Sequence, residues 1–120
     1  MTNKRPIILV TNDDGYLSQG IKFLIRVMRE IGEVFVVAPE SNRSGMSHAM
    51  TLYNDIYIQP VNDNNHDFIC SGTPVDCVKI AVNKILPRLP DLCVSGINHG
   101  SNHSINALYS GTLHAALEGA

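Results

Sequence analysis

A three-layer α/β fold, with a mostly parallel Rossmann-like sheet, follows from three features of this chain of 120 residues. Short apolar runs rich in β-branched residues alternate with segments of helical periodicity. The runs end in polar loops that carry most of the chemistry-bearing side chains. No apolar run approaches the roughly 18 to 20 residues needed to span a bilayer.

Pro6 to Thr11 contains Ile7, Ile8, Leu9 and Val10 in one unbroken run, the composition of a strand covered on both faces. From Gly20 onward, Ile21, Leu24, Ile25, Met28 and Ile31 keep helical spacing, and Gly32 stands where a glycine cap would end the helix. Glu33 to Ala38 is a second buried strand stopped by Pro39. Strand, helix and strand within about 33 residues make a βαβ unit, which brings both strand C-termini to one edge of the sheet. Thr51–Gln59 and His66–Cys70 predict two further strands around the polar turn Asn62-Asp63-Asn64-Asn65, a candidate hairpin. Thr73-Pro74-Val75-Asp76 opens a helix with Thr as N-cap, Pro at N1 and an acid at N3, with Val75, Val78, Val82 and Ile85 forming its apolar face. Pro87 and Pro90 end it. Asp91 to Ser95 predicts another parallel strand, and a long polar loop from Gly96 leads to a last helix starting near Thr112.

A hydrophobic share of 44% supports one domain with a core, and 9 Lys plus Arg against 11 Asp plus Glu leave a net charge of −2. That charge offers no electrostatic footprint for a nucleic-acid polymer or an anionic membrane, so any bound anion must be held locally. Lys4 and Arg5 precede an apolar run that ends at Thr11, too short for a signal peptide. Cys70, Cys77 and Cys93 are odd in number and form no C-x-x-C pair, which argues against a disulfide framework or structural zinc and predicts reduced thiols in the cytoplasm.

In an open parallel sheet, ligands bind beyond the strand C-termini where the strand order reverses. Three loops meet that condition: Asn12-Asp13-Asp14-Gly15, Pro39 to Gly45, and Gly96 to Asn102. Asp13 and Asp14 leave a buried strand side by side, and adjacent carboxylates repel unless a charge such as a divalent cation offsets them. Asp-Gly is also plain turn chemistry, though the helical pattern after Gly15 excludes a hairpin. Ser44 and Asn98 add neutral oxygens from the other two loops, and an all-oxygen set with two carboxylates suits Mg²⁺ or Mn²⁺. Each of these is, taken singly, an ordinary turn residue; the shared edge promotes them. Ser110-Gly111-Thr112 precedes the last helix and suits either a phosphate or a simple N-cap. His99 and His103 are four apart but enclose Gly100-Ser101-Asn102, without the Glu of a zinc-protease helix.

Ile8-Leu9-Val10-Thr11-Asn12-Asp13-Asp14-Gly15, Val36-Val37-Ala38-Pro39 with Arg43-Ser44, Gly72-Thr73-Pro74-Val75-Asp76-Cys77-Val78, Val94-Ser95-Gly96-Ile97-Asn98-His99-Gly100-Ser101-Asn102, and Tyr109-Ser110-Gly111-Thr112 with Ala115 to Ala120 together resemble the SurE family of stationary-phase survival proteins. The resemblance runs from the first strand to the last residue with the motifs in order. It implies a metal-dependent 5′/3′-nucleotidase, a phosphomonoesterase acting on nucleoside monophosphates and in some members on short polyphosphate. The family's metal ligands map onto Asp13, Asp14, Ser44 and Asn98, with Asp13 or Asp14 orienting or deprotonating the attacking water. Asn102 and Ser110-Gly111-Thr112 match positions on the phosphate side of the pocket. Members are cytoplasmic homodimers or tetramers and are about twice this length, so residues 1–120 correspond to the N-terminal part of a single domain, truncated on its C-terminal side.

Two other classes share some of these features. A phosphoacceptor receiver domain also carries an acidic pair after its first strand, but it requires an Asp at the end of a central strand and a Lys after a later one. The comparable strand ends here are Ala38-Pro39 and Ser95-Gly96, and the last Lys is Lys84. A nucleotide-binding module without turnover would keep the ligands and the ion yet release no phosphate.

Overall fold

The computed structural model describes residues 5–40, 56–61, 66–98 and 104–119. In chain order the elements are β1 (Ile7–Thr11), α1 (Gln19–Arg29), β2 (Glu33–Pro39), β3 (Ile58–Pro60), β4 (Asp67–Cys70), α2 (Pro74–Ile80) continued by a π-helical turn over Ala81–Ile85, β5 (Leu92–Asn98), β6 (Ser104–Tyr109) and α3 (Ser110–Gly119). The six strands form one sheet in the order β3-β4-β2-β1-β5-β6. β1 pairs in parallel with β2 and β5, β2 pairs in parallel with β4, and the two edge strands β3 and β6 are antiparallel. The hairpin expected around residues 62–65 is therefore present as β3–β4, while Thr51 to Asp55 lie outside the described residues.

Alternation along β1 divides the core in two. Ile8 and Val10 join Ile21, Leu24, Ile25, Val34 and Val36 under α1, whereas Ile7 and Leu9 join Phe35, Val37, Cys70, Cys77, Ala81, Cys93 and Leu113 under α2 and α3. Both faces of the central strands are covered, which is why they read as unbroken apolar runs. Among the described residues no helix is long and apolar enough to cross a membrane.

Several local expectations hold, and others are corrected. Thr73 caps α2 in a full capping box: its Oγ1 accepts from Asp76 N–H, and the Asp76 carboxylate accepts from Thr73 N–H at 2.9 Å. The face of α2 that meets the sheet is not the one expected, because Val75 is 60% exposed and Cys77 and Ala81 are the buried pair. Small side chains at i and i+4 let the helix sit close to β1 and β2, and Val78 and Ile85 pack around that contact. Gly32 does not serve as a left-handed cap. α1 ends at Arg29 with Glu30 as C-cap, Ile31 is exposed, and a Cβ on Gly32 would lie 2.5 Å from the Pro6 carbonyl oxygen. The glycine is there for close approach of the turn to the chain entering β1.

The largest correction follows Ser95. The strand expected to stop there continues through Gly96 and Ile97 to Asn98, with an irregular register against the next strand between Ser95 and Asn98. Ser104–Tyr109, read from the sequence as loop, is the edge strand β6, and α3 starts at Ser110 rather than near Thr112. Every residue of β6 is exposed, so it lacks the alternation of burial by which a strand is recognised in sequence.

α1 approaches the end of β5 closely. A Cβ on Gly20 would lie 2.6 Å from the Ile97 carbonyl oxygen and 3.2 Å from Ile97 Cβ. Backbone cannot retract as a flexible side chain can. Gly20→Ala is expected to destabilise the protein by about 1–3 kcal/mol in urea unfolding, and an unchanged midpoint would show that this contact is loose.

Candidate functional site

The order β2-β1-β5 means that the chain leaves β1 toward one side of the sheet and later returns to β5 on the other. The C-terminal ends of β1 and β5 therefore flank a topological switch point, the place where open parallel sheets form a ligand crevice. Asn12 to Tyr16 follow β1 there, and Asn98 ends β5 beside them.

Asn12 organises the acidic loop. It is fully buried; its Oδ1 accepts from Gly15 N–H at 3.1 Å, and its Nδ2 donates to the Gly15 carbonyl at 2.9 Å and to Ser18 Oγ at 3.0 Å. The side chain thus closes a tight turn around Asp13 and Asp14. Gly15 takes φ 104°, a left-handed conformation that costs other residues a steric penalty. Ser18 then caps α1 by accepting from Ile21 N–H at 3.5 Å, so loop and helix share one polar junction.

Across the crevice, Asp13 N–H donates to Asn98 Oδ1 at 3.2 Å. This bond joins residues 85 apart in sequence and sets the acidic loop directly against the end of β5. Asn98 is 9% exposed, whereas the side chain of Asp13 is exposed and that of Asp14 half-buried. A carboxamide oxygen has two lone pairs, so acceptance from Asp13 leaves Asn98 Oδ1 with acceptor capacity. Nearby, Thr11 Oγ1 is buried at the end of β1 with no hydrogen-bond partner among the described residues.

These donors fit a hard cation. Asp13, Asp14 and Asn98 each carry side-chain oxygen, the donor a hard cation takes, while among the described residues no group of three or more His, Cys, Asp or Glu is placed to hold a metal ion. Ser44 and Asn102, the other expected contributors from the loops after β2 and β5, lie outside the described residues.

Ser110, Gly111 and Thr112 are not brought to this edge. β6 runs antiparallel to β5, so Tyr109 pairs with Leu92 and Ser110 N–H donates to the Asp91 carbonyl at 3.0 Å. The start of α3 thus stands at the opposite end of β5 from Asn98, about 20 Å away at the usual rise per strand residue. A groove lined by Lys79, Val82, Asn83, Leu89, His114 and Leu117 lies beside α3, away from the acidic loop.

The three cysteines offer no nucleophile. All are buried thiols outside any disulfide; burial pushes the Cys93 thiol up to about 11, and a hydrogen bond to Cys70 together with burial raises that of Cys77 further. The receiver reading also fails on these strand ends: β2, β4 and β5 close with Pro39, Cys70 and Asn98, none of them a phosphoacceptor.

Sequence reasoning overlooked Asn12, Ser18 and Tyr16. An Asn just before Asp-Asp-Gly is a usable signal, because Asn side chains bond the backbone two or three residues on. Nothing in the spacing announces Tyr16, whose partners come from β2 and β4.

Residues 8–120 match the family profile described as Survival protein SurE. A protein named 5′-nucleotidase SurE from Flavobacterium johnsoniae is 58% identical over 121 residues, covering 98% of this chain and 47% of the relative. One of the same name from Bacteroides fragilis is 48% identical over 121 residues, covering 99% of this chain and 48% of its own. Among solved structures, the SurE protein from Aquifex aeolicus superposes with a TM-score of 0.71 at 39% identity, over 95% of this chain and 46% of that one. The chain spans about half the length of the curated relatives it matches.

Proposed function

Because the chain belongs to the SurE family, we propose that it carries the metal-binding half of a nucleotidase that hydrolyses nucleoside monophosphates to nucleoside and phosphate, with short polyphosphate as a further substrate. The observation that carries this reading is the meeting of Asp13 with Asn98 at the switch point, two carboxylates and an amide oxygen on one edge. Relatives named 5′-nucleotidase support the substrate class.

In this reading Asp13, Asp14 and Asn98, with Ser44 from the loop after β2, hold one divalent ion, Mg²⁺ or Mn²⁺. When bound, such an ion offsets the charge of the phosphoryl oxygens and makes a water molecule more acidic. The protein's own groups do the rest. Asn12 keeps the acidic loop rigid, so no reorganisation is needed as charge develops. The Asp13–Asp14 pair orients a water and accepts its proton while the water oxygen bonds to phosphorus in line with the ester oxygen. The phosphorus–ester bond then breaks, and the proton passes to the departing nucleoside oxygen. Asn102 contributes on the phosphate side. Assigning Ser110, Gly111 and Thr112 to that side requires a path for Ser104–Tyr109 other than its pairing with β5, so the mechanism does not use them. The protein is taken as cytoplasmic, and as a homodimer or tetramer at full length, as the family resemblance implies.

Phosphate release from a panel of 5′- and 3′-mononucleotides, with and without Mn²⁺ or Mg²⁺, tests the function in the full-length protein. Turnover that depends on added metal is the expected result. Tight binding of a mononucleotide without release would favour a binding module, and metal-independent turnover would remove the ion from the reading.

A further inference from the structure

Tyr16 follows the acidic loop directly and is held at both its backbone and its ring. Its N–H donates to the Pro39 carbonyl at the end of β2 at 2.9 Å. Its ring turns back over the α1 face of the sheet, against the core cluster there, with Lys22 Nζ 4.9 Å from the ring centroid. The phenol reaches β4, where its O–H donates to Asp67 Oδ2 at 3.0 Å. The other carboxylate oxygen, Asp67 Oδ1, faces Arg29 Nη2 at 3.5 Å and has no hydrogen bond among the described residues. Asp67 is 7% exposed. A carboxylate buried in the α1 layer costs desolvation unless donors compensate it, and packing alone would favour an apolar side chain.

The loop between the anchors is a closed turn: Asp13 is tied to Asn98 on one side, and Gly15, with φ 104°, is held at its N–H and carbonyl by Asn12. Asn12 closes the turn from within, but the direction in which the turn leaves the sheet is set by what holds Tyr16.

We propose that Asp67 is a positioning residue for the acidic loop, acting through the Tyr16 hydroxyl to fix how Asp13 and Asp14 are presented at the crevice. This rests on the metal-site reading of that loop.

The test uses the full-length protein and two readouts, Mn²⁺ affinity by titration and backbone hydrogen exchange over residues 12–17. Tyr16→Phe should weaken Mn²⁺ binding by roughly 10-fold, speed exchange in that segment while leaving β1 protected, and lower the melting temperature, because Asp67 then stays buried without its donor. Asp67→Leu should do the same to affinity and exchange without that loss of stability, and Tyr16→Phe combined with Asp67→Leu should be no worse for affinity than either alone, since both remove one bond. Asp67→Asn keeps an oxygen that can accept from the phenol and should retain most of the affinity, which a purely structural loss of charge would not allow. Wild-type affinity and wild-type loop exchange in Tyr16→Phe would overturn the proposal, whatever happens to stability. If the wild-type protein takes up no Mn²⁺ the metal reading falls, and the exchange measurement alone then decides the role of Asp67.

Discussion

Asp14→Asn is expected to lower phosphate release from nucleoside monophosphates by about 10²–10³-fold. The substitution keeps size and shape and removes one of the two negative charges on which the proposed cation site depends. Weaker metal binding accounts for the loss, so a chelator should produce the same defect in the wild-type protein, and excess Mn²⁺ should partly restore the variant. Because the substitution keeps size and shape, unfolding in chelator shows how much of the loss belongs to the fold rather than to the site. Phosphate release, Mn²⁺ titration and urea unfolding in chelator separate these effects. Activity that survives both the substitution and the chelator would end the metal assignment.

Asn12→Ala should have the largest effect on stability, a loss of about 2–4 kcal/mol. The side chain makes three hydrogen bonds while fully buried. Truncation leaves Gly15 N–H without its acceptor in a site that water does not readily reach, so the cost is that of unmet buried groups rather than the modest net value of each bond. It also releases Gly15 from the conformation that orients the acidic pair, so Mn²⁺ affinity should fall with stability. Urea unfolding and metal titration on one preparation measure both. A variant that loses neither would mean that the turn is held by its backbone alone.

The acidic pair and Asn98 could be proposed as partners from sequence because both follow apolar runs of parallel-sheet character, and parallel topology puts such ends on one edge. Their direct contact through Asp13 N–H could not, since it depends on β5 running on to Asn98, beyond the point where its apolar run stops. Ser110 to Thr112 show the reverse. Local chemistry left them as an N-cap or a phosphate contact and the family resemblance assigned them to the phosphate side, whereas the direction of β6 carries them to the Asp91 end of the sheet.

Short-range chemistry accounts for the buried strands β1 and β2 from unbroken β-branched runs, α1 from its periodicity, and the capping box at Thr73. Each depends on neighbours within a few residues, so the code is local. Packing of the assembled layers settles the face of α2 that meets the sheet, the pairing of fully exposed β6, the union of Asp13 with Asn98, and the reach of Tyr16 to Asp67 across 51 residues. Those outcomes depend on which surfaces meet once the sheet has formed. Close approach of backbones, at Gly20 against Ile97 or Cys77 against the sheet, is a property of the packed layers that leaves little trace in local spacing.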